Sequence, residues 1–392
     1  MYRSNLLKRG CILTAVSVIM LLGLILLTAC GEATYTATDT PAPSTVPATS
    51  VAITSPDPVS SPTVVPPTPV VTLPPGASPS AAVSVAPPTV TSAHPPQQPA
   101  TGPGGQDYPF KTIKSNRYGE GDEAYYIFEP VQPAPTKPLP VIAFLHGYAG
   151  VDPDRDNYIN WITHLVQRGN LLIFPVYQAR NSSDGTLYTD NALAALKAAL
   201  LRLQDGTHGR ADLSNFLLVG YSAGGVIATN LTVRAAKSGL PVPKALFAVT
   251  PGGCANCSLF AVRNFTLDQP AEMATIPAAT RLLVLVGDQD VIVGKSAASL
   301  IWQNTAQIPA ANKNYLLFQT DNHGTPALVA DHGMATRRNA FNFFGIWKLF
   351  DGLESCSIEA KLCEVALGNT QPQRSLGQWS DGTPVKELTV LG

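Results

Sequence analysis

The sequence predicts an α/β domain built on a doubly wound, mostly parallel β-sheet flanked by helices. Two observations predict it. From about residue 107 onward, short apolar runs alternate with helix-like segments. Several of those runs, such as "PVIAFLHG" and "RLLVLVG", are apolar almost without interruption, as strands covered on both faces are.

Taken in order, "AYYIFEP" (Ala124–Pro130) reads as an early strand and "PVIAFLHG" (Pro140–Gly147) as a buried one. "YINWITHLVQRG" spaces Ile159, Ile162, Leu165 and Val166 at helical intervals and ends on Gly169, a residue suited to a helix C-terminus. "NLLIFPVYQ" (Asn170–Gln178) is the next strand, and "TDNALAALKAALLRL" (Thr189–Leu203) is rich in strong helix formers. The strand "NFLLVGYS" (Asn215–Ser222) leads into the helix "AGGVIATNLTVRAAKSG" (Ala223–Gly239). Three more strands follow in "KALFAVTP", "RLLVLVGDQD" and "NYLLFQTDNHG", with the helix "SAASLIWQNTA" (Ser296–Ala306) between the last two. "GMATRRNAFNFFGIWKLF" (Gly333–Phe350) closes the order as an amphipathic helix, and "QWSDGTPVKELTVLG" alternates like an edge strand.

The N-terminal quarter has a different character. Arg3, Lys8 and Arg9 precede an apolar run from Cys11 to Leu27, then the small residues of "LTAC". That order reads as an export signal over residues 1–29. "LLTAC" followed by Gly31 resembles the lipobox of bacterial lipoproteins, which implies cleavage after Ala29 and a lipid on Cys30. The implied partner is a membrane, held through that lipid, with the protein on the extracellular face. Residues 30–106 hold 18 of the 35 prolines, with Glu32, Asp39 and Asp57 the only charges, and read as a disordered, semi-stiff tether. Residues 107–350 are then the folded domain and 351–392 a C-terminal extension.

The balance of 26 basic and 27 acidic residues gives no support for a nucleic-acid partner, which needs a clustered basic face. Cys254 and Cys257 ("CANC") and Cys356 and Cys363 ("CSIEAKLC") make an even count outside the cytoplasm, favouring two local disulfides. A redox role for "CANC" would want a thioredoxin-like setting, and the long gap between the pairs argues against a four-cysteine metal site.

Four groups stand just past expected strand ends: "HGYAG" (His146–Gly150), Ser222 in "GYSAG", Asp290 in "GDQD", and His323. On a doubly wound sheet they should meet in one crevice. A serine hydroxyl is a weak nucleophile and needs a base in reach; a carboxylate fixes the tautomer of that base. The order Ser, Asp, His, with Gly220-Tyr221-Ser222-Ala223-Gly224 between strand and helix, resembles the α/β-hydrolase fold of esterases and lipases. The resemblance covers about Tyr125 to Phe350. It implies Ser222 as nucleophile, Asp290 as acid and His323 as base, with the N–H groups of Tyr148 and Ala223 as oxyanion donors.

Asp290 fits the family spacing from Gly287 better than Asp288, which is read as a loop-bonding residue. His323 lies closer to the strand end than His332, which is read as a capping or packing residue. Tyr148 and Tyr221 flank the site, and residues 252–277 are read as a lid, a pocket wall or a plain connecting loop. The chemistry implied is cleavage of a small-molecule, lipid or polymer carboxylic ester through an acyl-enzyme, with no metal or organic cofactor required. A peptidase of the same fold and a non-catalytic binding module are the alternatives.

Overall fold

The computed structural model describes residues 92–154, 156–258 and 260–392. The export signal, Cys30 and most of the expected tether lie outside the described residues. Among the described residues nine strands form one sheet: β1 (Thr112–Tyr118), β2 (Tyr125–Gln132), β3 (Leu139–Leu145), β4 (Leu171–Pro175), β5 (Ala211–Tyr221), β6 (Ala245–Val249), β7 (Arg281–Gly287), β8 (Lys313–Phe318) and β9 (Thr389–Val390). Their order is β1-β2-β4-β3-β5-β6-β7-β8-β9. Pairing is parallel from β4 through β8 and antiparallel at both margins. The order reverses beside β3: one crossover leads to β4, and the next returns past it to β5.

Among the described residues eight α-helices accompany the sheet: α1 (Ile159–Gln167), α2 (Tyr188–Arg202), α3 (Ala223–Ser238), α5 (Ser296–Gln303) and α6 (Trp347–Glu359), with the four-residue α4 (Pro270–Met273), α7 (Cys363–Ala366) and α8 (Gln371–Arg374). The apolar runs of the strands divide cleanly between two cores. Val141, Ala143, Leu145, Leu218, Leu246 and Val284 face α2, α3 and α5. Ile142, Phe144, Leu217, Val219, Phe247 and Leu283 face α1 and α6, against Trp161, Leu165, Trp347 and Phe350. Alternate side chains thus serve opposite layers, which is why these strands carry no polar face.

Two boundaries and one strand differ from the sequence expectation. Residues 92–106, assigned to the tether, are packed on the body: Ala93 and Gln98 are buried, Gln98 donates to Gly104 O (3.0 Å), and Gly104 N donates to Asp351 (2.7 Å). Their proline-rich composition hides this, because the turns are satisfied by tertiary partners rather than by their own periodicity. The boundary at 350/351 falls inside α6, which continues a π-helical turn over Phe341–Ile346 and runs on to Glu359. Strand β1 has no counterpart in the sequence reading, since its residues are all exposed or half-buried and show no apolar alternation.

Both expected cysteine pairs stand at disulfide distance, with Cα atoms 5.2 Å apart for Cys254–Cys257 and 4.7 Å for Cys356–Cys363. The C-terminal edge strand is the two-residue β9, antiparallel to β8.

Candidate active site

β5 ends at Tyr221 and α3 begins at Ala223, so Ser222 alone makes the turn between them. It takes φ 56° and ψ −122°, a conformation that costs a non-glycine residue about 1–3 kcal/mol. The glycines on either side make that turn sterically feasible. A Cβ on Gly220 would overlap the backbone of Gly224, and one on Gly224 would overlap the carbonyls of Leu145 and His146. The strand, the turn and the loop after β3 therefore touch backbone to backbone. The serine side chain is lifted clear of the sheet's carboxyl edge.

His332 is the imidazole that meets it. Its Nε2 lies 2.9 Å from Ser222 Oγ, and its Nδ1 lies 2.8 Å from Asp290 Oδ2. The other carboxylate oxygen of Asp290 accepts the backbone N–H groups of Ile292 and Val293, each at 3.1 Å. Burial alone would raise the Asp290 carboxyl, but the hydrogen bonds from His332, Val293 and Ile292 outweigh it and hold the group below its ordinary range. Tyr221 donates to His332 O (2.8 Å), fixing the backbone behind the ring.

His323 does not join this group, and the expectation that it would is corrected here. Its Nε2 bonds instead to Asp381 Oδ2 (2.7 Å) on the exposed rim. The chain after β8 first folds into a hairpin, closed by reciprocal bonds between Asp321 and Leu328 (2.8 and 2.9 Å), before reaching the crevice. The histidine nearer the strand end is carried away by that excursion, and the next histidine, His332, is delivered to the serine. Asp288 takes the loop-bonding place expected of it, accepting from Thr320 Oγ1 (2.8 Å) and Thr320 N (3.1 Å).

The loop after β3 brings Tyr148 to the same crevice as Ser222 and His332. The N–H groups of Tyr148 and of Ala223, the first residue of α3, have no acceptor among the described residues. That leaves two backbone N–H groups without a partner there, one in the loop after β3 and one, next to Ser222 in sequence, at the positive end of a helix. The loop is heavily braced. Arg180 donates to Ala149 O (3.0 Å) and grips Asp156 through both nitrogens (2.9 and 2.8 Å), while Gly147 N donates to Tyr158 Oη (3.0 Å). His146 is fully buried, stacked on Tyr177 with ring centroids 4.0 Å apart, and burial pushes its pKa down to about 4. It supports the loop as a neutral ring.

The crevice has a volume of about 520 Å³. Tyr148, Phe260 and Ile292 give it an apolar side; Phe260 and Ile292 are each 47% exposed. Phe260 comes from the loop stapled by Cys254–Cys257 and meets the Tyr148 ring edge-on at 6.2 Å. Of the three readings offered for residues 252–277, the wall describes the Phe260 loop. Arg180 and Asp156 face the crevice as a closed ion pair.

Comparison with known proteins bears on the fold. A family described as having the alpha/beta hydrolase fold matches residues 144–311, a stretch that includes Tyr148, Ser222, Ala223 and Asp290 and ends before His332. The nine-stranded sheet has the strand order and the serine turn to go with it. The fold is the α/β-hydrolase fold. A solved structure of a putative dienelactone hydrolase from Klebsiella pneumoniae is similar at 18% identity, over 54% of this chain and 88% of that one, with a TM-score of 0.40. Comparison with curated proteins gives no match.

Of the residues expected to meet in the crevice, His323 is the one that stands elsewhere. Position relative to the last large helix was the available signal. His332 opens the 3₁₀ turn (His332–Thr336) that leads to that helix, whereas distance from β8 pointed to His323.

Proposed function

We propose that this protein is a serine hydrolase cleaving carboxylic esters, with Ser222 as nucleophile, His332 as general base and Asp290 as its orienting carboxylate. The observation that carries the reading is the unbroken hydrogen-bond line Ser222 Oγ–His332 Nε2 and His332 Nδ1–Asp290 Oδ2 at 2.9 and 2.8 Å. In that line Nδ1 holds its proton toward the carboxylate and Nε2 is the acceptor. Ser222 Oγ attacks the ester carbonyl while its proton passes to Nε2. The oxyanion is met by the Tyr148 and Ala223 N–H groups. The same proton then leaves with the alcohol, giving an acyl-serine. Water repeats the sequence and releases the acid.

The crevice favours neutral substrates with an apolar group. Among the described residues the cationic side chain facing it, Arg180, is already paired with Asp156, and Phe260, Tyr148 and Ile292 offer contact surface for an aromatic or branched chain. The export reading is proposed with it: lipid on Cys30 would hold this domain at a membrane surface.

Mixing the enzyme with a 4-nitrophenyl ester and quenching early should leave an acyl mass on the peptide containing Ser222, with a burst of nitrophenol equal to the enzyme. Hydrolysis without an acylated serine, or no turnover of any ester, would refute the reading. Metabolic labelling with palmitate should disappear in Cys30→Ala.

A further inference from the structure

The hairpin that carries the chain from β8 to His332 is gripped from both ends of the described polypeptide. On one side sits the segment assigned to the tether. Thr325 N donates to Ala93 O (2.8 Å), and His94 Nδ1 lies 3.1 Å from Thr325 O. On the other side sits the C-terminal extension, whose buried Trp379 donates from Nε1 to Asp321 Oδ2 (3.0 Å). The two sides are joined to each other, since His94 N donates to Ser380 Oγ (2.9 Å) and Ser380 N donates to His94 O (3.0 Å). Gly324 is pressed between them; a Cβ there would overlap both Ala93 O and the Trp379 ring.

Asp321 is the hub. It is 3% exposed and its carboxylate accepts three N–H groups: Trp379 Nε1, Lys386 N (2.9 Å) and His323 N (3.0 Å). Its backbone makes the reciprocal pair with Leu328 that closes the hairpin. From there the path to the base is short and fixed. Ala330 N donates to Thr320 Oγ1 (3.0 Å), Ala330 O accepts from Gln289 N (3.1 Å), and His332 follows two residues later.

We propose that Asp321 is a positioning residue for His332, acting through a clamp whose jaws are residues 93–94 and the Trp379–Lys386 segment. The proposal rests on the reading of His332 as the general base. Thirteen residues separate β8 from His332; Asp288 holds Thr320, Gln289 holds Ala330 and Tyr221 holds His332 O, while the hairpin between Asp321 and Leu328 is held by the clamp. A base displaced by about 1 Å loses on the order of 10²-fold in rate. The clamp supplies the order from outside the loop, so the end of the linker is a working part of the site.

The test uses the full chain with Asp321→Asn, Trp379→Phe and Gly324→Ala, none of which touches Ser222, Asp290 or the crevice. An asparagine must turn an NH2 toward at least one of the three donors. Asp321→Asn and Gly324→Ala should lower kcat by about 10- to 100-fold with KM within about twofold, and Trp379→Phe by less. The low-field proton resonance of His332 Nδ1–H, recorded without substrate at a temperature where the melt shows each variant fully folded, should weaken or shift in the same rank order. A uniform resonance and unchanged kcat in the folded variants would overturn the proposal, as would a loss of activity that tracks unfolding alone. If Asp321→Asn does not fold, Gly324→Ala and Trp379→Phe decide by the same readouts. Because the resonance needs no turnover, it separates a failed clamp from a failed assignment of ester hydrolysis.

Discussion

Asp290→Asn is the substitution with the most defined consequence. Asp290 Oδ1 accepts the N–H groups of Ile292 and Val293, and its side chain is fully enclosed. An asparagine keeps those two bonds only by placing its carbonyl oxygen there. Its NH2 group then faces His332 Nδ1, which must accept, so the ring proton moves to Nε2 and points at Ser222 Oγ. The base has become a donor toward the nucleophile it should deprotonate. Volume and packing are unchanged, so the cost falls on the reaction, about 10⁴-fold in kcat or about 5–6 kcal/mol of barrier. The assay is kcat on a 4-nitrophenyl ester beside a thermal melt. A decrease of less than tenfold in a variant that melts like wild type would refute the tautomer argument.

Phe260→Ala should reduce kcat/KM about tenfold for a 4-nitrophenyl benzoate and less than threefold for the acetate, measured side by side; equal losses would deny Phe260 a part in substrate selection. Glu354, at the opposite edge of the sheet, has its carboxyl pushed up to about 8 by burial, with the charge of Asp351 adding to it. Between about pH 4.5 and 8 the folded protein then holds a proton that the unfolded chain has lost, so stability falls as pH rises through that window. Glu354→Gln should therefore gain on the order of 1–3 kcal/mol over wild type at pH 8 and little at pH 4.5, read by urea unfolding at both. A soluble form starting at Asp107 should melt several degrees below one starting at Ser92, because it lacks the buried Ala93 and Gln98 and the Gly104–Asp351 bond.

Much of the sheet was legible because its strands are doubly covered. A run such as Pro140–Gly147 can hardly be anything else once helices flank it, and the serine turn announces itself through two glycines whose Cβ atoms would strike backbone. Asp290 was legible from its spacing to Gly287. What escaped was decided by tertiary partners with no local trace. β1 is held at the sheet margin with its polar residues outward, and residues 92–106 look like linker because their partners are Asp351, Thr325 and Ser380. The histidine was lost for the same reason. Nothing in "TDNHGTPALVADHG" shows that Asp321 and Leu328 pair across a hairpin and carry His323 to the rim.

The most direct test of the account compares labelling by a fluorophosphonate in wild type, Ser222→Ala, His332→Gln and His323→Gln. The geometry predicts rapid labelling on Ser222, none in Ser222→Ala, a drop of at least about 10³-fold in His332→Gln, and a rate within about twofold of wild type in His323→Gln. Fast labelling of His332→Gln together with loss of labelling in His323→Gln would contradict it.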